Sequence, residues 1–567
     1  MLRQWNLFLA ILAVSVGLAF LGNLLPSPKP VDAPVTEFSA ARAMIDVRRI
    51  ASEPHPTGSQ ANSELGQYLS GRLEEMGFEV TVLVAPLAPQ GMARLEQWGG
   101  DASEPLKTHS LLGVLPGTDR DLAPILLMAH YDSVWASPGA ADDGAGLASI
   151  LESIRALNAG GQHKRDLLVL FSDGEELHLN GARAFFENDP LAKQIGAIVN
   201  LEARGAGGRT YMFQTNAGNG EIADFYASHV GNPSTSSLAV LVYRIMPNDT
   251  DLTPALEQRL MGYNLAFIGK ASLYHSPLAT PENLDQGTLQ HMGDQTLALA
   301  RALLNADTLP QESPDQTLFD LFGLFAVSYP AWLDWLFLVG GFSCFAFAAR
   351  KSWSLKETTF GAARMLGLVL LGAILLEGVN ILSQATGAQN YYDRLAAVPR
   401  LEWMAVLLCI AALLAFLPSN KPSPSRSLGI ALPITLIAAL IQYLAPSAAY
   451  FVVIPLFVAG ATNLAMQHFD SRAVRMAAAF MAAIATGYLL SLGHLVLQGL
   501  VNMLALQAIL PASIIALVLI PFWPGLERKF RWRGAALSAT GGVAIALWVM
   551  LDPIAETVPP YAGSGGL

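Results

Sequence analysis

The chain has 567 residues, of which 52% are hydrophobic and only 14% are charged, and its formal net charge is -11. This composition is too apolar for an ordinary soluble protein, so we expect part of the chain to lie in a lipid bilayer. The negative charge and the lack of a basic patch in the polar part of the chain argue against a nucleic-acid partner.

The first predicted element is an apolar segment over residues 7–25, close to the ~20 residues that a membrane-spanning helix needs. We interpret residues 1–30 as a retained anchor, because no small-residue cleavage site of a signal peptide precedes PSPKPVDAP. The mixed and polar sequence that follows, over 31–310, contains no spanning segment and predicts a globular domain.

The globular domain alternates between strand-like and helix-like patterns. Two helices are predicted over 37–52 and 58–76 from the spacing of their apolar residues. Short apolar runs predict seven strands, at 79–86, 109–115, 125–129, 166–171, 197–201, 211–214 and 264–268. Further helices are predicted at 144–158, 180–188, 219–230 and 285–304. This order predicts an α/β domain with a mainly parallel central sheet flanked by helices.

Apolar runs return in the last part of the chain and predict an all-α polytopic membrane domain over 311–567. Eight spans are expected, at 331–349, 361–383, 403–418, 428–445, 447–466, 475–497, 500–522 and 534–551. Lysine and arginine collect in every second connecting loop, and positive charge marks the cytoplasmic side. We therefore predict a cytoplasmic N-terminus, with the globular domain and the C-terminus on the periplasmic or lumenal side.

Several polar or reactive residues fall in or near the predicted spans. Both cysteines, Cys344 and Cys409, do so, and the globular domain therefore has no disulfide available. Glu377, His494 and Asp334 are ionisable groups whose burial in lipid is costly, so a transport or gating role is one reading. We favour pairing inside the helix bundle or exposure to a small wet cavity, because no Gly/Pro-broken repeat typical of transporters is present.

Chemistry-bearing side chains follow three predicted strands of the globular domain. His130 and Asp132 follow the third strand, Glu175 and Glu176 the fourth, and Glu202 the fifth. In open α/β sheets, ligands bind beyond the carboxyl ends of the strands. We therefore expect these side chains to lie close together.

Two more residues extend this set to a candidate metal centre. Asp142 precedes the helix predicted at 144–158, and His275 lies in the segment SLYHSP. Imidazole and carboxylate groups bind zinc, and two ions about 3.5–4 Å apart need a bridging carboxylate. Each motif alone has an ordinary reading, such as a helix N-cap for Asp142. His55, in PHPTGS, has no carboxylate partner close by and is expected to be a loop residue.

The motifs MAHYDSV, GAADDGAG, SDGEELHLNGARAF, NLEARGAGG and LYHSPLATPEN together carry a family resemblance. In order and spacing they resemble the co-catalytic di-zinc exopeptidases of the bacterial secreted aminopeptidase type. PHPTGS, and the layout of nine spans formed by the anchor and the eight later spans, resemble the membrane-bound branch of this family. That branch includes the endoplasmic reticulum metallopeptidase and the vacuolar membrane protease. The motif resemblance covers roughly residues 40–305, and over the membrane half it is one of layout.

The resemblance implies a metal centre of two zinc ions bridged by Asp142. Glu176 and His275 would complete one ion, and His130 and Glu202 would complete the other. Mixed histidine and carboxylate ligands also accept cobalt or manganese, so the native metal stays open.

The resemblance also implies catalytic roles. Glu175 would be the general base, Asp132 would orient His130, and Tyr274 would stabilise the oxyanion. The chain departs from the family pattern at three positions without losing a metal ligand. Glu202 replaces a common aspartate, Ala279 replaces an aspartate near His275, and His178 replaces a glycine.

The sequence therefore predicts a membrane-bound zinc metallopeptidase, an aminopeptidase that hydrolyses peptides with a metal-activated water. A second enzyme reading is a single-zinc aminoacyl (glutaminyl) cyclase, which would bind one zinc ion per chain instead of two. A third reading is a receptor-like or transporter protein that keeps an inactive peptidase domain. The complete set of ligands and base speaks against that third reading.

Overall fold

The computed structural model describes residues 2–97, 106–246, 248–384, 391–500 and 504–552. Two compact units are present, one of Leu25–Ser328 and one of residues 2–24 and 329–552. Residues 501–503 of one predicted span, and the predicted outward C-terminus beyond residue 552, lie outside the described residues.

The first seven strands and the longer helices lie close to their predicted positions, whereas the last two strands and the short helices Pro89–Gln97, Ser237–Ile245, Thr253–Glu257 and Tyr391–Ala396 were not predicted. The strands are β1 (Glu79–Pro86), β2 (Lys107–Leu115), β3 (Ile125–His130), β4 (Leu167–Ser172), β5 (Ala197–Ala203), β6 (Tyr211–Thr215), β7 (Gly262–Phe267), β8 (Gln316–Asp320) and β9 (Ala326–Pro330). The helices are α1 (Leu2–Gly22), α2 (Ala40–Ile50), α3 (Gln60–Glu75), α4 (Pro89–Gln97), α5 (Gly144–Ala159), α6 (Asn180–Asn188), α7 (Gly220–His229), α8 (Ser237–Ile245), α9 (Thr253–Glu257), α10 (Gln286–Asn305), α11 (Leu333–Ala349), α12 (Leu355–Leu382), α13 (Tyr391–Ala396), α14 (Val398–Phe416), α15 (Pro424–Leu444), α16 (Tyr450–His468), α17 (Arg472–Gly499), α18 (Leu504–Leu519) and α19 (Arg528–Leu551).

A seven-stranded sheet with the order β1-β2-β4-β3-β5-β7-β6 forms the centre of the first unit. The four central strands β4, β3, β5 and β7 run parallel to one another. The outer strands β1, β2 and β6 pair antiparallel. The α/β prediction is confirmed, and parallel pairing holds at the centre of a sheet that is mixed as a whole. Helices α5 and α6 are the crossovers that parallel pairing requires between β3, β4 and β5.

The central strand β3 is buried along its whole length. Its alternate side chains enter two hydrophobic cores, because successive residues of a strand point to opposite faces of the sheet. Leu127 and Ala129 pack in the larger core, which includes residues of α2, α5 and α10. Leu126 and Met128 pack in a smaller core with residues of α6 and α9. Helices therefore cover both faces, and β3 is held rigidly where it delivers its last residues.

The first unit continues past residue 310 to Ser328. The β8 segment is tied to the rest of that unit by specific hydrogen bonds. The backbone N–H of Leu318 donates to Ser237 Oγ at 2.8 Å, and that of Thr235 donates to Asp320 Oδ1 at 2.9 Å. These long-range bonds carry no local sequence pattern, which is why the predicted domain boundary lies earlier.

The second unit consists of apolar helices. Seven helices in the described chain are long and apolar enough to cross a membrane, namely Gln4–Gly22, Leu355–Leu382, Val398–Phe416, Pro424–Leu444, Tyr450–His468, Arg472–Gly499 and Arg528–Leu551. Two further predicted spans correspond to the shorter apolar helices Leu333–Ala349 and Gln507–Phe522. These helices indicate an integral membrane protein.

Two of the three ionisable residues in or near predicted spans are paired. Asp334 is buried and accepts a hydrogen bond from the Tyr329 hydroxyl at 2.7 Å. His494 Nδ1 lies 2.9 Å from Glu402 Oε1. Glu377 lies on the exposed surface of α12. The pairs agree with the interpretation that such groups are compensated inside the bundle.

Candidate metal centre

The sheet brings the predicted ligands to one edge. His130 is the last residue of β3 and lies opposite Ser172, the last residue of β4. The chain after β4 turns directly into Glu175 and Glu176, and Glu202 is near the end of β5. Because these strands are parallel neighbours, their carboxyl ends meet at the same edge.

Asp142 stands between the two histidines. His130 Nε2 lies 3.0 Å from Asp142 Oδ1, and His275 Nε2 lies 3.2 Å from Asp142 Oδ2. The N-cap of α5 is Asp143, whose carboxylate accepts the N–H of Gly146. The capping role considered for Asp142 therefore belongs to its neighbour, and both Asp142 oxygens are directed to histidines.

The predicted ligands form two groups with one shared member. One group is His130, Asp142 and Glu202, and the other is Asp142, Glu176 and His275. In each group the ligand atoms lie within 4.8 Å of one another. A tetrahedral zinc ion with ligands at about 2.0 Å sets those ligand atoms about 3.3 Å apart. The donor atoms and their spacing therefore fit divalent metal ions, and Asp142 fits a bridging position.

The buried carboxylates of the site also favour the binding of cations. Burial and the nearby charge of Glu175 raise the pKa of Glu202 well above its ordinary value. Burial acts to raise the pKa of Asp142 as well, but His130 and His275 outweigh it and lower that pKa to about 2. Buried carboxylates that repel one another need compensation, and a bound metal ion supplies positive charge in the required place.

Asp132 connects the first ligand to the turn that carries Glu175. Its backbone oxygen lies 2.9 Å from His130 Nδ1, while its carboxylate oxygen lies 3.5 Å from the same nitrogen. That carboxylate accepts the backbone N–H groups of Glu175 at 3.0 Å and of Glu176 at 3.2 Å. One buried aspartate thus holds a histidine and a glutamate ligand in register.

Replacing Asp132 with asparagine should weaken metal binding without unfolding the domain. The amide has one acceptor oxygen for two backbone donors, so the Glu176 turn is held less firmly. We expect metal affinity to fall by about 10–100-fold, as for other residues that support metal ligands. Zinc titration of the metal-depleted protein measures this change, with Asp121→Asn on the exposed surface as the matched control. Equal zinc affinity in both variants would contradict the assignment.

Glu175 and Tyr274 stand beside the two ligand groups. Glu175 forms a third compact group with His130 and Glu176. Burial, with the charge of Glu176, raises the pKa of Glu175 well above its ordinary value. The ring of Tyr274 stacks on His275 with a centroid distance of 3.7 Å. The stacking fixes the plane of the histidine that completes the second group.

Three further residues that the sequence analysis singled out, His55, Ala279 and His178, lie outside the ligand groups. His55 lies in a loop, its Nδ1 is 2.9 Å from the Glu53 backbone oxygen, and burial lowers its pKa to about 4. Ala279 is buried, and its backbone oxygen accepts the N–H of Ala140 at 3.0 Å. His178 is exposed and has a φ of 68°, which lies in the left-handed region that favours glycine. A glycine, which the family pattern has at this position, would adopt this φ without the steric cost that a side chain adds.

Sequence reasoning missed two buried aspartates near the site. Asp251 is 1% exposed and accepts a hydrogen bond from the Ser172 hydroxyl at the end of β4. Burial, with smaller contributions from neighbouring charges, raises its pKa to about 6. Asp173 accepts hydrogen bonds from Thr57 at 3.0 Å and Asn62 at 3.2 Å. In the sequence, these two aspartates are marked only by their position in the segments SDGEE and PNDTDL, which lie between predicted strands and helices.

The chain is similar to a protein family, to curated proteins and to solved structures. The family described as Peptidase family M28 matches residues 110–300. Endoplasmic reticulum metallopeptidase 1 from Mus musculus is 32% identical over 309 residues, which cover 52% of this chain and 34% of that protein. The vacuolar membrane protease of Candida dubliniensis is 31% identical over 263 residues, which cover 46% of this chain and 28% of that protein.

Among solved structures, a zinc aminopeptidase from Bacillus subtilis aligns with a TM-score of 0.39 and 15% identity, covering 50% of this chain and 99% of that one. The matches to these two curated proteins span about a third of their length. The residues matched by the family include the strands and turns that carry the clustered histidine and carboxylate side chains. Over residues 110–300 this chain is therefore similar to Peptidase family M28.

Proposed function

We propose that this protein is a membrane-bound zinc exopeptidase of the aminopeptidase type, which removes residues from the free N-termini of peptides. The observation that carries the proposal is the position of Asp142, whose two carboxylate oxygens lie beside different histidines. This arrangement fits a carboxylate shared by two metal ions. A single-zinc cyclase needs only one of the two ligand groups, so the geometry favours the hydrolase.

His130 and Glu202 would hold one zinc ion, Glu176 and His275 would hold the other, and Asp142 would contact both. When bound, zinc polarises the scissile carbonyl group and lowers the pKa of a neighbouring water toward 7. The mixed nitrogen and oxygen donors of the two groups suit zinc, and they also accept cobalt or manganese.

The side chains around the ligands perform the proton transfers. Glu175 accepts a proton from the attacking water and passes it to the leaving amine. Its raised pKa suits a group that must both accept and release a proton near neutral pH. We assign the hydroxyl of Tyr274 to the developing oxyanion, because its ring is stacked on His275 beside the ligand group. Asp132 positions His130 and the Glu175–Glu176 turn.

We assign the membrane orientation from the charges of the connecting loops. Positive residues that mark the cytoplasmic side are Arg350, Lys351, Lys356, Lys421, Arg426, Arg472, Arg475, Arg528, Lys529, Arg531 and Arg533, and the alternate loops carry only Arg394 and Arg400. In this orientation the anchor over 1–30 starts in the cytoplasm. The peptidase domain, predicted over 31–310 and continued to Ser328 by its compact unit, is periplasmic or lumenal, and the membrane domain follows it.

A substrate panel tests the proposed activity. Purified full-length protein is incubated with amino-acid amides, short peptides and their N-acetylated forms, with and without a chelator. We expect stepwise release of N-terminal residues from the free peptides and none from the acetylated forms, because an aminopeptidase requires a free amine. Chelation should abolish turnover, and added zinc should restore it.

Two outcomes of the panel would contradict the proposal. Cyclisation of N-terminal glutamine without peptide cleavage would identify the cyclase reading. Fully metal-loaded protein that cleaves no member of the panel would support an inactive, receptor-like domain.

A further inference from the structure

A long cavity lies within the helical unit, between α1, α14, α17 and α18. Its volume is about 530 Å³, within the range of about 300–1,000 Å³ that is typical of small-molecule sites. Residues from Glu402 to Leu417 line it along α14. At a rise of 1.5 Å per residue, this lining extends for about 22 Å. The cavity is therefore long enough for an extended aliphatic chain.

Most of the cavity wall is aliphatic, including Leu413, Leu489 and Ile515. The wall also reaches the surface of the unit, because the lining residues Val16 and Val406 are 61% and 42% exposed. In helices that cross a membrane, such a surface faces lipid hydrocarbon. An aliphatic chain can thus enter from the side without passing through water.

The ionisable side chains of the cavity gather at one end. Glu402 lies in the first turns of α14, and His494 lies in the last turns of α17. His494 Nδ1 is 2.9 Å from Glu402 Oε1, and the two side chains remain 40% and 20% exposed, respectively. Gln507, near the start of α18, also lines the cavity. The cavity therefore has the polarity of an amphiphile, with a polar end and a long apolar body.

We infer that this cavity binds one aliphatic chain of a membrane lipid, with the lipid head group at the Glu402–His494 end. The apolar wall buries the aliphatic chain, and the side chains at the polar end form hydrogen bonds with the head group. Arg400, two residues before Glu402, is in an ion pair with Asp552 at 2.9 Å. The Glu402 carboxylate and the Gln507 amide oxygen accept hydrogen bonds. They therefore favour a head group that donates hydrogen bonds, which is an ammonium or a hydroxyl group.

A glycine on the cavity wall allows a sharp test. Gly493 lines the cavity, and a Cβ at this position would meet no atom within 4 Å. Gly493→Leu therefore places a side chain in open space and raises the helix propensity of α17. Gly378, in α12, has the same open surroundings and does not line the cavity. Gly378→Leu is the matched control.

The experiment measures lipid bound to full-length protein by native mass spectrometry in detergent. Delipidated protein is titrated with phosphatidylethanolamine, phosphatidylglycerol or phosphatidylcholine, of which only the first two carry donor groups at the end of the head. We expect one saturable lipid per chain, with both donor lipids bound more tightly than phosphatidylcholine. Gly493→Leu should weaken binding by about fourfold for each methylene group displaced, and Gly378→Leu should leave binding unchanged.

A second variant tests the contact with the head group independently of the apolar wall of the cavity. Glu402→Gln should reduce the preference for donor lipids while one lipid per chain is still bound. Unchanged binding by Gly493→Leu, an equal loss in both leucine variants, or the absence of a saturable lipid would overturn the inference. Equal binding of all three lipids by the unaltered protein would overturn the assigned head-group chemistry. None of these outcomes depends on peptidase activity.

Discussion

Replacing Glu175 with glutamine should strongly reduce peptide hydrolysis and leave the metal content unchanged. Glutamine has nearly the same shape but cannot accept the proton of the attacking water. Glu175 belongs to neither of the two groups that share Asp142, so the proposed ligands of both ions remain. Loss of a general base lowers the rate by about 10²–10⁴-fold. Turnover of a dipeptide amide and elemental analysis of the same preparation measure the two effects together.

The matched control for this variant is Glu187→Gln, which makes the same chemical change on the exposed surface of α6. The control should keep full activity and full metal content. Retention of most of the turnover by Glu175→Gln would refute its role as the base. Loss of metal along with activity would show instead that Glu175 is a ligand.

The second large effect is on the number of bound ions. We expect the unaltered protein to bind about two zinc ions per chain, because Asp142 belongs to two ligand groups. His275→Ala should retain about one ion, held by His130 and Glu202 with Asp142. Asp142→Asn should retain fewer ions than His275→Ala, since both groups lose a charged ligand. Elemental analysis gives the counts, and peptide hydrolysis should be lost in both variants.

His229→Ala, on the exposed end of α7, is the control for the histidine substitution. It should leave two ions bound. A count of one ion per chain in the unaltered protein would refute the two-metal centre and favour the cyclase reading. Thermal unfolding of each variant shows whether a lost ion reflects lost ligands or a lost fold.

Sequence patterns predicted the strands and the clustered ligands because both leave local signals. The buried strands are continuous apolar runs, and β3 is typical of them. The ligands follow such strands directly, so the parallel order of β3, β4 and β5 was enough to place them at one edge. The bridging position of Asp142 came from the family resemblance, since spacing alone allowed a helix cap.

Other features depend on contacts that no local pattern contains. Asp251 is bonded to Ser172, which lies 79 residues away in the chain. The antiparallel partners of the outer strands are set by tertiary packing, so the mixed character of the sheet was not predictable. The short helices α4, α8 and α9, of at most nine residues each, were also missed.

The loop before α3, together with the first turn of α3, limits where this domain can be truncated. Thr57 and Asn62 supply donors to the buried carboxylate of Asp173, and Thr57 Oγ1 also lies 3.3 Å from Asp132 Oδ2. An expression fragment that began at residue 110, where the family match starts, would strip these donors away. Each buried acceptor left unsatisfied costs about 1–3 kcal/mol. A fragment made for crystallisation should therefore begin upstream of α2.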